Sequence, residues 1–495
     1  MLQFEGSSVA RGYRVKRERP EKCILLRSLL AARVIGAITT ALVASTVLST
    51  AVADDACALK VTKLRYDDDY ACFRDPRARD SSYAVSKFVP WNKDDSVFAS
   101  FGGSARGHYE YTRNPDFGAS RQDKNGALLK RYTLHGDFHL GSHVRVYGEV
   151  LSAAEKGRVE SASPVDENQL TIENGFLDIA FGSSSHSVTI RSGIQEMSYG
   201  SARLVDVRDG PNVRRTFTAV RVIANLPGWR VDAIAAAPRT PQYGILDDRT
   251  NRDQSLYGLY AASRDHQFST GELDLYALAF EDAHAVYAEI EAAERRHSIG
   301  ARFHGDGGRW DWDWESIYQF GSFGESDIDA WTIASETGFT FQQAAWRPKI
   351  ALSANVASGD HNPSDKHIGT FNALFPKGNY FSEAAVLGPR NFYNLHPKLE
   401  LMPGAAWSIT ADVDWFWRQE TRDAVYTPSG QVLRTPDGSR KRDVGTSFSL
   451  ESNYEIKPNM TLTAIYSRFM PGSFLQETGP SSDIEYYELT LDFKF

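Results

Sequence analysis

From Ser96 to Phe495 the chain repeats one unit, about ten residues of alternating apolar and polar side chains followed by a break. In His143–Ser152, Val144, Val146, Gly148 and Val150 alternate with Arg145, Tyr147 and Glu149. In Ser187–Met197, Val188, Ile190 and Ile194 alternate with Thr189, Arg191 and Gln195. Trp407–Arg418 puts Ile409, Ala411, Val413, Trp415 and Trp417 on one face and Ser408, Thr410, Asp412, Asp414 and Arg418 on the other. A period of two is the signature of strands with two different faces.

The pattern predicts strands over 97–110, 131–140, 143–152, 171–181, 187–197, 214–224, 229–237, 255–263 and 271–280. It continues over 295–304, 310–320, 329–341, 347–357, 392–402, 407–418, 443–454, 460–469 and 485–495. That makes about eighteen, an even number as single-chain bacterial barrels have. Short connections (Gly141-Ser142, Gly182–His186, Asn225–Gly228, Pro403–Ala406, Glu455–Asn459) alternate with long ones (111–130, 153–170, 198–213, 358–391, 419–442). Short periplasmic turns and long extracellular loops give an outer-membrane barrel that parity. A soluble sandwich or propeller has no reason to keep it. The last strand, Glu488 to Phe495, alternates and ends in Phe, which resembles the signal read by the barrel assembly machinery. The fold predicted is all-β, a transmembrane antiparallel up-and-down barrel.

Composition narrows the alternatives without choosing among β folds. A mean hydropathy of −0.40 and 24% charged residues exclude a bundle of membrane helices. Aromatic content of 12% suits a barrel and equally a large soluble β enzyme. A net charge of −8 argues against a nucleic-acid partner, which needs a basic footprint.

The N-terminus reads as a leader. Basic residues from Arg11 to Arg33 precede an apolar run, Val34 to Val52, which ends Ala51-Val52-Ala53 before Asp54-Asp55. Those parts describe a secretory signal peptide over 1–53, cleaved near Ala53, and place the mature chain in the outer membrane. Residues 54–95 read as a periplasmic lead-in with at most one short strand, and 96–495 as the barrel. Cys23 leaves with the leader; Cys57 and Cys72 either pair in an oxidising compartment or remain two thiols in a loose arm.

A charge facing hydrocarbon costs a few kcal/mol at mid-depth, so strand charges are assigned to the lumen. The basic candidates are Arg106, Arg145, Arg191, Arg221, Arg302, Lys349, Lys398 and Arg418. The acidic ones are Asp137, Glu149, Asp178, Asp313, Glu336, Glu400 and Asp414. Trp310, Trp312, Phe339, Phe341, Trp407, Trp417, Tyr487 and Phe493 fall on the outward phase at strand ends, as interfacial girdles require. Inward Arg and Lys rings select anions and acidic rings select cations. With both signs present, the charges either pair to stiffen the wall or stand free in a pore. The third long loop adds Arg203, Arg208, Arg214 and Arg215, either a solvated face or a constriction folded inward. His135, Asp137 and His139 share a lumen face near Ser142 and His143, spacing that fits a metal site or a hydrolase but equally plain polar lining. No catalytic residue, metal or cofactor is assigned. With no trimer-locking feature in the sequence, a monomer embedded in outer-membrane lipid and lipopolysaccharide is expected.

Two segments resemble the alginate export family of outer-membrane channels. The first runs Arg191-Ser192-Gly193-Ile194-Gln195-Glu196-Met197-Ser198-Tyr199-Gly200, then Arg203-Leu204-Val205, then Asp209-Gly210-Pro211-Asn212-Val213-Arg214-Arg215-Thr216-Phe217. Ser192-Gly193 stands where the family has Gly-Arg, and Thr218-Ala219 where it has Asp-Gly. The second comprises Ala357-Ser358-Gly359-Asp360, Gly369-Thr370-Phe371-Asn372, Leu374-Phe375-Pro376-Lys377-Gly378, Tyr380, Leu387-Gly388-Pro389-Arg390-Asn391-Phe392 and His396-Pro397-Lys398-Leu399. The resemblance implies passive export of an anionic polysaccharide such as alginate, or a similar anion, past an arginine-rich constriction. It points to Arg191, Arg214, Arg215 and Arg221 for polymer contact, and to periplasmic proteins that deliver polymer. A nutrient-uptake porin for small carboxylates or sugars is the competing expectation.

Overall fold

The computed structural model describes residues 61–75, 84–159, 162–183, 186–264, 271–287 and 290–495; the expected leader lies outside them. The wall consists of β1 (Val97–Arg113), β2 (Ala127–Leu140), β3 (Val144–Lys156), β4 (Asn168–Ser183), β5 (His186–Gln195) and β6 (Phe217–Leu226). Next come β7 (Trp229–Thr240), β8 (Gln254–Ser263), β9 (Gly271–Tyr287), β10 (Ile290–Gly307), β11 (Trp310–Phe323) and β12 (Ser326–Thr340). Last are β13 (Lys349–Ala357), β14 (Phe392–Gly404), β15 (Trp407–Trp417), β16 (Asp443–Lys457), β17 (Met460–Pro471) and β18 (Ile484–Lys494). Each pairs antiparallel with the next. β1 then pairs with β18 from Ser104↔Lys494 to Arg113↔Glu485, which closes the barrel. The eighteen expected segments fall on these strands in order. No described helix is long and apolar enough to cross a membrane.

Side-chain phase follows the alternation. Along β2, Leu128, Tyr132 and Leu134 are exposed at 40%, 53% and 59%, while Arg131, Thr133, His135 and Asp137 are buried. The exposed apolar set includes Leu177 on β4, Ile190 on β5, Val220 on β6, Leu275 on β9, Ile333 on β12 and Leu489 on β18. That is the hydrocarbon band. Aromatic contacts gather at its two rims. Trp310, Phe339 and Phe341 touch edge-on near the short turns. Tyr111, Tyr466 and Tyr487 meet near the long loops.

Two expected extracellular loops are strand instead. β9 and β10 run on to Tyr287 and Ile290, and β11 and β12 meet at a turn over 324–325, with Gly324 at φ 56°. Hydropathic alternation marks only the depth where one face meets lipid. Above it, Glu281, Asp282, His284 and Glu291 sit on a paired ladder without such cost. Ala285, Tyr287, Phe323 and Ile328 give the two hairpins a small shared core.

The lead-in differs from its expectation in place. Val89–Pro90 makes one short pairing with β1. Residues 61–75 enter the lumen, where Tyr66 is 3% exposed and packs edge-on against Phe176 and Tyr147 of the inner wall. Cys72 is disulfide-bonded; Cys57 lies outside the described residues.

Phase makes a prediction that a soluble core would not share. Leu177→Arg on the lipid face should cost about 2–4 kcal/mol of barrel stability. Reversible denaturant unfolding in lipid vesicles measures it.

Candidate functional site

Eighteen strands enclose more space than wall side chains can fill. Two loops take up the remainder. Met197, Leu204 and Val205 of the 196–216 loop join Phe371, Ala373 and Phe375 of the 358–391 loop. Together they pack on Phe217, Ile234, Leu256, Tyr276 and Ile317 of the inner wall. The loops also pair with each other: Asp206 N–H donates to Phe375 O at 2.8 Å, and Phe375 N–H to Leu204 O at 2.9 Å. The third loop is therefore folded inward, and its arginines come with it.

The 358–391 loop is held from both ends. Arg296, fully buried on β10, donates to Gln319 Oε1 at 2.9 Å and bonds Glu294, while Gln319 donates to Asn372 O at 2.7 Å. Asn391 donates to the carbonyls of Glu420 and Ala424 at 3.0 and 2.9 Å and accepts Glu420 N–H at 2.6 Å. Asp423 accepts from Asp360 N–H and Thr370 Oγ1 at 2.8 and 2.7 Å. A Cβ on Gly359 would stand 2.0 Å from Asn391 Oδ1, so the clasp requires glycine there.

The expected lumen bases divide into two groups. Seven are ion-paired. Arg145 bonds Asp137 at 2.7 and 2.9 Å; Arg191 grips Asp178 with two bonds of 2.8 Å. Arg302 does the same to Asp313 at 2.8 Å and reaches Asp274 at 3.0 Å. Lys349 meets Asp311 at 2.9 Å, Lys398 meets Glu336 at 2.7 Å, and Arg214 meets Glu196 at 2.9 Å; Arg221 pairs with Asp232. The other three contact only neutral oxygens among the described residues. Arg106 donates to Asp209 O, Gly210 O and Asn212 Oδ1, and Arg215 to Asp206 O and Pro376 O. Arg418 is buried among the carbonyls of Thr421, Asp423, Ser439 and Lys441 with Phe474 against its guanidinium, where it organises the outer loops.

A cavity of 920 Å³ opens between the inward loops and the wall of β16–β18 and β1. Arg208, Arg215 and Arg239 line it together with Arg106, Glu451, Glu488 and Asp492 of the β16–β18 and β1 wall, where Arg106 stands in register with Asp492. Arg208 makes no guanidinium hydrogen bond or ion pair among the described residues, and its Nε is buried without a partner. Burial and the adjacent Arg208 hold Arg215 below the usual guanidinium range, the electrostatics of a spot short of negative charge. A second cavity of 250 Å³, lined by Lys377, Lys398, His396 and Glu400, shares Asn379, Glu383, Glu451 and Ile465 with the first. A polar passage thus runs past Glu383 with opposite charges facing across it.

Strand phase alone could have supplied two members that the expected set omits. Arg296 has the parity of Arg302 within one strand, and Arg131 that of Asp137. Arg239, at the end of β7, and the role of Arg208 depend on how loops fold and had no periodic signal. His139 stacks on Phe98 at 4.3 Å and His135 on Tyr147 at 5.6 Å, while Asp137 is taken by Arg145. No group of three or more His, Cys, Asp or Glu among the described residues is arranged to hold a metal.

A family model described as alginate export matches residues 97–486. No curated protein matches the chain in sequence. In structure the chain is similar to OccAB1 of Acinetobacter baumannii, at TM-score 0.55 and 12% identity over 84% of this chain and 99% of that one. It is also similar to OccK1 (OpdK) of Pseudomonas aeruginosa, at TM-score 0.54 and 12% identity over 80% and 98%. A structure of OpdK with vanillate matches at TM-score 0.53 and 12% identity, over 80% and 98%. At that identity the likeness is one of fold.

Glu383 gives the passage a pH dependence. Burial raises its carboxyl to about 7. Acidification through neutrality removes a negative charge from the constriction, so the anion-to-cation permeability ratio should rise as pH falls from about 8 to about 6. Reversal potentials in planar bilayers measure the ratio, and Glu383→Gln should flatten the response.

Proposed function

Because the chain belongs to the alginate export family of outer-membrane barrels, we propose that it passively conducts an anionic solute, exporting an anionic polysaccharide such as alginate. The observation that carries this reading is a set of arginines on the inward 196–216 loop and the wall facing it that meet no carboxylate. Among the described residues Arg208 makes no guanidinium hydrogen bond or ion pair, and Arg106 and Arg215 bond only neutral oxygens. A guanidinium without a carboxylate in a low-dielectric lumen favours an anion from solution. The acids opposite it keep that anion from binding so tightly that it stalls, which conduction requires.

Within this proposal Arg106, Arg208, Arg214, Arg215 and Arg239 line the outer path. Arg145, Arg191, Arg221, Arg302, Lys349 and Lys398 hold the wall and reach the solute where their partners leave room. No covalent step is needed. Transport is downhill, and periplasmic proteins deliver the polymer. The chain is secreted by cleavage near Ala53, inserted by the barrel assembly machinery through its terminal Phe495 strand, and works as a monomer among outer-membrane lipid and lipopolysaccharide. The second reading, uptake of small carboxylates, draws on OpdK, whose structure was solved with vanillate; the same arginines suit a monomeric carboxylate.

Single-channel recording with a uronate oligomer and its monomer separates the two. Export predicts block by the oligomer at concentrations where the monomer passes freely; equal passage of unrelated small solutes would sink it. Arg208→Ala with Arg215→Ala should weaken oligomer block about tenfold or more, at about 1.4 kcal/mol per decade.

A further inference from the structure

The inward loops leave one arginine cluster unexplained. Arg145, Arg191, Arg221 and Arg230 project into the periplasmic half of the lumen from β3, β5, β6 and β7. The wall acids bonded to them are Asp137, Asp178 and Asp232. Four guanidinium groups against three carboxylates leave one positive charge over. Two cavities, of 320 and 300 Å³, open beside the cluster, and Asp67 of the N-terminal segment lines both. Asp67 interacts electrostatically with all four arginines, and no hydrogen bond joins it to them among the described residues. Burial raises its carboxyl against the pull of these arginines; ionised, it supplies the missing charge across space.

The segment that presents Asp67 is fastened by Tyr66, packed on Tyr147 and Phe176, and otherwise by polar contacts that water or a ligand can replace. Tyr66 donates to Glu196 O at 2.7 Å, its own carbonyl accepts from Arg145 at 2.5 Å, and Arg191 lies 4.5 Å over its ring. Arg65 bonds Asp68 at 2.9 Å and donates to the carbonyls of Gly103 and Phe495 at 3.2 and 3.3 Å. Lys63 pairs with Asp206 of the inward loop, and Arg214 donates to Lys63 O at 3.0 Å. Residues 61–75 form no strand pairing with the wall. They occupy the lumen without being part of the sheet.

We propose that residues 61–70 are a tethered anionic plug. Asp67 stands in for the transported anion at the periplasmic arginine cluster, and an anionic solute arriving from the periplasm displaces it. This rests on the anionic-solute reading above and adds the regulation of that path. Loop and plug are joined through Lys63–Asp206, so displacement also loosens the inner edge of the constriction.

The test uses the full mature chain in planar bilayers, with an oligogalacturonate added on the periplasmic side as probe. Tyr66→Ala removes the clamp and should raise single-channel conductance about twofold or more, since a vacated lumen conducts as an open pore. Asp67→Asn leaves the segment seated and should keep wild-type conductance. It should lower the half-blocking concentration of the oligomer about fivefold, because the tethered competitor loses its charge. Should Tyr66→Ala fail to fold, as judged by heat-modifiable electrophoretic mobility, the block of Asp67→Asn decides alone. Two folded variants with wild-type conductance and block would overturn the plug. A cation-selective wild type would overturn the anionic reading instead, so the two failures are distinct.

Discussion

In hydrocarbon no water is available to bond a free N–H or C=O, so every backbone polar group at membrane depth must find its partner inside the sheet. The register of β1 on β18, unbroken from Ser104 to Arg113, is how this chain meets that demand. Closure is the constraint from which the remaining features follow. It fixes which side chains face lipid, because a one-residue slip anywhere would turn Arg191 or Asp178 into the bilayer. It also sets the size of what is enclosed. Eighteen strands leave a lumen that must be either water or folded chain.

Most of that lumen is folded chain, and the two kinds of filling obey different energetics. The 196–216 and 358–391 loops bury an apolar cluster against β6–β14, as a soluble core would. Opposite them the wall is polar and the charges are largely matched. A bidentate pair such as Arg191–Asp178 stabilises little beyond its own desolvation, but removing one partner strands a buried charge, at about 3–5 kcal/mol. Such pairs make the wall rigid and poorly able to bind a passing ion. In the proposed function, binding capacity therefore rests with arginines that bond no carboxylate among the described residues, Arg106, Arg208 and Arg215. Arg208 and Arg215 sit on the inward loop, and Arg106 reaches that loop from the middle of β1.

This division explains how much the sequence could disclose. Period two is imposed by lipid on one face, so the strands and the inward phase of Arg145 or Asp178 were legible residue by residue. Where lipid ends the signal ends, which is why the tops of β9 and β10 read as loop although they are strand. The inward fold of the arginine loop has no periodicity at all. Its determinants are single contacts such as Phe375 N–H on Leu204 O and Asn391 on Ala424 O, between residues far apart in the chain. The family-like motif flagged those residues without saying what they touch. The entry of 61–75 into the lumen has no periodic signal for a related reason. A polar, acidic stretch reads as solvated, and only the four-arginine cluster gives Asp67 and its neighbours a reason to enter the barrel.

A closed sheet has no source of free energy, so net direction follows the solute gradient, and a difference between its two mouths can change only which solutes enter and how fast. Here the mouths differ in kind. On the outer side, Arg208 and Arg215 belong to the 196–216 loop, which pairs with the 358–391 loop that Asn391, Asp423 and Arg296 clasp through buried contacts. On the inner side, a short segment held by Tyr66 packed on Tyr147 and Phe176, by carbonyl contacts and by the Lys63–Asp206 pair lies beside the arginine cluster. On the proposed path, an anion approaching from outside meets a preorganised site at once. One approaching from the periplasm must first compete with a carboxylate already tethered beside it, a competition that a polymer with many charges wins more readily than a monomer. Selection by length, rather than by charge alone, is what such an arrangement imposes on a passive pore.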